Sequence, residues 1–246
     1  MKRYDNLDMI TKIQSVSDEE QLIESVLSQH ATLTLGFVNQ HGFNLCSDPA
    51  LLNNFMDLDV LLRDGIGMKM AMSLFERPPG NNMNGTDLIP RIVAKAQQQP
   101  LNVMAFGTED PWLSKGVSNL GLDELCSVKH HGFETIDHYV SLFQRHHSDG
   151  QLNLVILAMG MPKQEQLASE IKKLNLSRTV VICGGAVLDF QANKVKRAPS
   201  FFRKTGLEWA YRLGSEPKRM FRRYVIGIPV FFSHLLALKT QTAFNR

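Results

Sequence analysis

Residues 152–185 read LNLVILAMGMPKQEQLASEIKKLNLSRTVVICGG, and this stretch decides the fold. Leu152–Ala158 is a nearly unbroken apolar run, and Thr179–Cys183 is a second. Short runs of this kind suit parallel strands covered on both faces. Between them, Pro162 to Leu174 predicts a helix that begins with Pro at a first-turn position. Glycines follow each strand: Gly160 after the first, Gly184 and Gly185 after the second.

The same alternation extends outward. Ala31–Val38, Asp59–Leu62 and Leu101–Phe106 are further strand candidates. Ser17-Asp-Glu-Glu20 reads as a capping box, and a helix over Asp87 to Gln98 follows Gly85-Thr86. Strands alternating with helices over about 180 residues predict an α/β fold with a largely parallel sheet. The alternation stops near Lys194.

With 246 residues, 43% of them hydrophobic and 21% charged, the chain is neither a disordered polymer, nor a coiled-coil rod, nor a polytopic membrane protein. Its net charge of +3 hides an asymmetry. Residues 194–246 hold twelve Lys or Arg against Glu208 and Glu216, whereas the preceding 193 residues carry a net −7. An acidic body with a basic tail points to an anionic partner: nucleic acid, an anionic membrane or a phosphorylated substrate. Cys46, Cys126 and Cys183 are too few and too far apart for a disulfide framework or a zinc site. The first residues lack the apolar run of a signal peptide. The longest apolar stretch, Tyr224–Leu238, has 15 residues, where about 20 are needed to span a bilayer as a helix. It reads as a surface or interfacial element, and the protein as cytosolic.

In open α/β sheets, ligands collect where strands end and helix N-termini present free N–H groups. Four strand ends here carry Gly: Gly65 and Gly67, Gly107, Gly160, and Gly184 with Gly185. Asp64 stands at one of them, and reads either as the N-cap of a helix Gly65–Phe75 or as a crevice carboxylate able to act as general base. The loop Asn82–Asp87 reads either as a turn with a cap or as a crevice wall whose Asp87 accepts hydrogen bonds from sugar hydroxyls. Lys163, in a helix's first turn, opposes the helix dipole and so suits an anionic ligand. There is no Gly-x-Gly-x-x-Gly, Walker loop, nucleophile elbow or His-Glu-x-x-His. The pairs His130-His131 and His146-His147 diverge on any regular element, so no metal is indicated, and no cofactor.

In the tail, Phe201, Phe202, Trp209, Tyr211 and Phe221 interleave with basic residues. Three readings stay open: a helical pair packed on the core, contact with an anionic bilayer, and nucleic-acid binding. No recognised nucleic-acid module accompanies the charge. Exposed tail aromatics would be covered by the core, by lipid or by a second subunit, which leaves a homo-oligomer open.

From about Thr34 to Tyr224 the sequence resembles the WecG/TagA/CpsF glycosyltransferases (glycosyltransferase family 26). The match is carried by Asp64-Gly-Ile-Gly67, Gly85-Thr-Asp-Leu88, Gly160-Met-Pro-Lys-Gln-Glu165, Gly184-Gly185 with Asp189, and Val195-Lys-Arg-Ala-Pro199. The tail Gly206-Leu-Glu-Trp-Ala-Tyr-Arg-Leu213, Glu216-Pro217 and Arg219 to Arg223 completes it. The resemblance implies a Rossmann-like catalytic core over residues 1–193, of the GT-E fold type, and a membrane-association appendage over 194–246. It implies metal-independent, inverting transfer from a UDP-sugar to a polyprenyl-diphosphate-linked saccharide at the inner membrane face. Asp64 would then be the general base, with Gln164 in the catalytic pocket and Asn39 nearby. Gly85, Thr86, Asp87, Gly184, Gly185 and Asp189 would line the nucleotide-sugar site. Arg212, Arg219, Arg222 and Arg223 would face lipid phosphate or the departing diphosphate, where an arginine fork can replace a metal.

Two positions depart from the family's pattern. Phe37 stands where Thr is common, and Asn82 where Arg is common. Losing that Arg favours a donor without a carboxylate over a uronic acid, unless a residue such as Arg77 compensates. ManNAc, glucose and ManNAcA remain open. The rival class is a non-catalytic membrane-docking protein that retains the transferase fold.

Overall fold

The computed structural model describes residues 5–244. Its seven strands are β1 (Ile10–Thr11), β2 (Thr32–Val38), β3 (Val60–Arg63), β4 (Leu101–Gly107), β5 (Cys126–His131), β6 (Leu152–Leu157) and β7 (Thr179–Cys183). They form one sheet in the order β1-β3-β2-β7-β6-β4-β5, and every pairing is parallel. The α/β expectation holds, with helices on both faces.

Side-chain alternation explains the layers. In β6 and β7, Leu154, Ile156, Val180 and Ile182 pack beneath helices Val16–Leu27, Gly85–Ala96, Trp112–Asn119 and Val187–Gln191. Val155, Leu157, Val181 and Cys183 face the other layer, with helices Gln40–Leu45, Pro49–Met56, Gly65–Leu74, Ile136–His146 and Lys163–Leu174. Both sets are buried, so the strands show no polar alternation.

Several local expectations shift. The capping box is Ser15 with Asp18, two residues before Ser17 and Glu20: Asp18 accepts from the N–H groups of Gln14 and Ser15, and Ser15 Oγ accepts from Asp18 N. Pro162 takes the N-cap position of helix Lys163–Leu174 instead of its first turn. The edge strands β1 and β5 have no counterpart among the sequence candidates. β5 reads Cys-Ser-Val-Lys-His-His, too polar for a buried run.

The tail folds as helices Ser200–Lys204, Glu208–Ser215 and Pro217–Phe221, a π-helical turn Arg222–Ile226, and helix Gly227–Phe244. Pro229 has no N–H to offer Val225, and the π turn falls just where the ladder is interrupted. The helical run is therefore longer than the 15 residues counted from sequence: Pro217–Gln241 is long and apolar enough, by length and composition, to cross a membrane. One face of it is packed into protein. Phe231, Leu235 and Leu238 join the core beside helix Gln40–Leu45, where the Phe43 and Phe231 rings meet edge-on at 5.4 Å. Asn44 Nδ2 donates to Gly227 O at 2.7 Å. The opposite face leaves Phe221, Val225, Phe232 and Leu236 exposed.

Candidate functional site

β2 and β3 pair with Val38 opposite Arg63, so the next residue of each strand, Asn39 and Asp64, emerges at the same edge. Asn39 caps helix Gln40–Leu45: its Oδ1 accepts from His41 N at 3.0 Å and Gly42 N at 3.2 Å. That fixes the amide, and Nδ2 donates toward Asp64 Oδ2 at 3.5 Å. Asp64 holds the N-cap position of helix Gly65–Leu74 without making a side-chain cap hydrogen bond. Its carboxyl is recessed in the cleft floor. Burial raises its pKa, and the nearby Arg223, the Asn39 hydrogen bond, Arg212 and Arg63 draw it partly back.

Gln164 and Glu165 begin helix Lys163–Leu174 under the ends of β6 and β7. Gln164 is 1% exposed; its Oε1 accepts from Gly185 N at 3.0 Å and its Nε2 donates to Glu165 Oε1 at 2.7 Å. Glu165 is wholly buried, its Oε2 has no partner, and burial pushes its pKa up to about 7. Gly185 has φ +58°, a left-handed conformation that glycine adopts freely.

Across the sheet, Gly85 and Thr86 line the cleft, and the Phe37 ring lies 3.1 Å from where a Cβ on Gly85 would stand. Asp189 pairs with Lys194 at 3.4 Å, and Lys194 Nζ donates to Thr108 Oγ1 at 2.7 Å. The tail forms the remaining wall. Arg212 stacks over Phe190 at 5.5 Å, and Arg219 binds Glu216 at 2.6 Å. Arg222 and Arg223 project from the π turn. Together these elements enclose a cleft of about 1390 Å³.

Thus Asn39, Asp64, Gly85, Thr86, Gln164, Gly184, Gly185, Asp189, Arg212, Arg219, Arg222 and Arg223 all line one cleft. Two expected residues do not. Lys163 donates to the carbonyls of Gly132 (2.7 Å) and Glu134 and lies over the Tyr139 ring, away from the cleft. Asp87 is gripped through both oxygens by Arg197; burial raises its pKa, but the hydrogen bonds from Arg197 and Asn84 outweigh this and lower it. This pair fastens residues 195–199 to the start of helix Gly85–Ala96. Arg77 is bound to Asp8 and is not among the residues that line the cleft.

The cleft also holds residues given no role from sequence. Arg63 is buried, and its guanidinium binds Pro79 O, Gly80 O and Gly65 O. His41 is held to a pKa of about 4 by burial and Arg223, so it is neutral at pH 7. Glu208 has a raised pKa, from burial and then from Asp64. Glu208 was legible as one of two acids in a tail of twelve bases. Arg63 stands next to the Asp64–Gly67 motif, and Glu165 is the last residue of the Gly160–Glu165 motif. Among the described residues, no three His, Cys, Asp or Glu converge as a metal-holding group.

The model of the glycosyl transferase WecG/TagA/CpsF family matches residues 7–244. A relative from Bacillus spizizenii is 30% identical over 206 residues, covering 82% of this chain and 77% of its own length. That relative is an N-acetylglucosaminyldiphosphoundecaprenol N-acetyl-beta-D-mannosaminyltransferase.

Proposed function

The chain belongs to the WecG/TagA/CpsF glycosyl transferase family, and from that premise we propose a specific reaction. A hexose or N-acetylhexosamine moves from a UDP-sugar to a polyprenyl-diphosphate-linked saccharide, with inversion and without metal, in cell-envelope or exopolysaccharide synthesis. One observation carries this reading: the uncapped, recessed Asp64 carboxylate faces a wall of arginines across a single cleft. Asp64 takes the acceptor hydroxyl's proton as that oxygen attacks the donor's anomeric carbon. The bond to UDP breaks, and Arg212, Arg219, Arg222 and Arg223 neutralise the charge gathering on the diphosphate. Gln164, its amide fixed by Gly185 and Glu165, and Asn39 orient the reacting groups.

The relative's acceptor supports a polyprenyl-diphosphate-linked GlcNAc here, and its donor sugar supports a ManNAc-type donor. The site favours a donor without a carboxylate. Asn82 brings no charge, Arg77 is held by Asp8, and Arg63 is engaged by three carbonyls. Lipid contact falls to residues 194–246, which act as a membrane appendage to the catalytic core of 1–193. The exposed face of Phe221, Val225, Phe232 and Leu236 lies in the inner membrane surface while the opposite face stays on the core. The acceptor's isoprenoid enters the cleft between Ile66 and Met70 on one side and Ile226 and Val230 on the other, all exposed and cleft-lining.

The test is a donor screen with purified protein, detergent and polyprenyl-diphosphate-linked GlcNAc, reading UDP release and lipid product. UDP-ManNAc, UDP-ManNAcA, UDP-Glc and UDP-GlcNAc are offered separately, with and without EDTA. Turnover is expected with an uncharged donor, unaffected by EDTA. Silence with every donor and no UDP binding would favour the non-catalytic, membrane-docking alternative.

A further inference from the structure

Among the described residues three carboxylates line the cleft, and two of them are engaged. Asp189 pairs with Lys194 at 3.4 Å, and Asp64 accepts from Asn39 at 3.5 Å. The carboxylate of Glu208 has neither a hydrogen bond nor an ion pair among the described residues. A group of the right charge stands one helical turn away. Glutamate four residues before arginine is the favourable order for an ion pair on a helix. Arg212 nevertheless stacks over Phe190 at 5.5 Å and faces Glu216 at 4.0 Å. Glu216, the other acid of the tail, is taken by Arg219 at 2.6 Å. Glu208 is left half-buried in the cleft wall beside Gly206 and Trp209. Burial and then the charge of Asp64 raise its pKa, as expected of two carboxyls in one part of a cleft. A half-buried carboxylate without donors costs stability, and a ligand that brings donors removes that cost.

We propose that Glu208 binds the acceptor saccharide, accepting hydrogen bonds from its hydroxyls while Asp64 takes the proton of the hydroxyl that reacts. This rests on the reading of Asp64 as general base toward a lipid-linked acceptor. Two features select the acceptor's sugar over other parts of the substrates. A carboxylate repels phosphate and accepts from hydroxyls, so the diphosphates go to the arginines and a neutral sugar goes to Glu208. Glu208 also enters the cleft from the tail, whose Ile226 and Val230 flank the isoprenoid's entry. Gly85, Thr86, Gly184 and Gly185, given to the donor, enter from the sheet's loops instead. The sugar joined to that lipid therefore lies between Glu208 and Asp64. Glu208 also stands in the first turn of helix Glu208–Ser215, where an acid favours the helix dipole. That role needs no ligand, and the experiment separates the two.

Glu208→Ala and Glu208→Gln are compared with wild type in the full chain, with the cognate donor and polyprenyl-diphosphate-linked GlcNAc in detergent. Polyprenyl diphosphate without a sugar serves as a competing probe of the lipid and phosphate contacts. Glu208→Ala should raise acceptor KM about tenfold or more, the loss expected for hydrogen bonds to a charged group. Donor KM should stay within about twofold. Inhibition by the sugar-free lipid should match wild type, because that probe offers Glu208 no hydroxyl. Glu208→Gln keeps an acceptor oxygen and should recover part of the affinity. An unchanged acceptor KM in Glu208→Ala would overturn the proposal; with a lowered melting temperature, it would leave Glu208 its helix-dipole role alone. A donor KM raised as much as the acceptor's would also overturn it, as would equal weakening of the sugar-free probe. Undiminished turnover in Asp64→Asn would instead overturn the general-base reading, and would leave a selective acceptor effect of Glu208 standing.

Discussion

Asn39 Nδ2 ends 3.5 Å from Asp64 Oδ2, because the two residues leave neighbouring parallel strands one step past the paired Val38 and Arg63. The amide cannot turn over without giving up its two hydrogen bonds to the start of helix Gln40–Leu45. It therefore presents a donor to the carboxylate and favours its charged form. Asn39→Asp would place a second carboxylate there and raise the pKa of Asp64 further. The acid limb of kcat/KM should then shift upward, with activity at neutral pH reduced. An unmoved limb in a full pH profile would separate Asn39 from the base.

Lys163 binds two carbonyls of the loop after β5. Lys163→Met should destabilise the fold by about 1–3 kcal/mol, the range for losing charge-assisted hydrogen bonds. Donor KM should remain within about twofold, since no substrate binding is removed. Thermal melts and steady-state kinetics test this pair of outcomes. A KM rise with an unchanged melting temperature would place the lysine on the donor's phosphates instead.

Glu165 keeps its proton in the folded state up to about pH 7, against an ordinary value of 4.5. Between those values the folded chain holds a proton that the unfolded chain has released, so stability falls as pH rises through this window. The loss is on the order of 3 kcal/mol by pH 8. Glu165→Gln retains an oxygen for Gln164 and removes the titration. Its melting temperature should exceed the wild type's at pH 8 and match it near pH 4. A difference independent of pH would contradict the buried-proton account.

Deleting residues 194–246 would strip Phe231, Leu235 and Leu238 from the core, so point changes on the outer face test membrane docking more cleanly. Val225→Ser with Leu236→Ser, at positions 44% and 66% exposed, should leave the melting temperature unchanged. Binding to anionic vesicles should weaken by tenfold or more, since each inserted apolar side chain contributes roughly 1.5–3 kcal/mol. Unchanged co-sedimentation would defeat the assignment. Loss of a dimer in ultracentrifugation with vesicle binding intact would give this face to a second copy of the chain.

The strands that were legible are those buried on both sides. Leu152–Leu157 and Thr179–Cys183 carry only Asn153 and Thr179 as polar residues, both buried and hydrogen-bonded within the protein, so composition alone marks them. β5 was hidden because an edge strand has only one neighbour and tolerates Lys129, His130 and His131. The capping box read at Ser17–Glu20 overlaps a second Ser-x-x-acid frame, Ser15–Asp18, and the chain uses the second because Asp18 reaches two N–H groups at once. The strand-end glycines and the motifs around Asp64 and Gln164, all legible in the sequence, come together along one cleft. Partners brought from far along the chain could not be read there. Arg197 lies 110 residues from Asp87, and Gly132 lies 31 from Lys163, so charge and helix position suggested ligands where the fold supplies neighbours.

The most direct test of Asp64 as base in a UDP-sugar cleft is a paired measurement on Asp64→Asn: lipid-linked product formation with the cognate donor, and UDP-sugar affinity by calorimetry. Transfer should fall by about 100-fold or more, the scale of general-base catalysis, while affinity stays within a few-fold of wild type. Equal collapse of binding and transfer would make Asp64 a ligand-binding residue, and undiminished transfer would place the base elsewhere in the cleft.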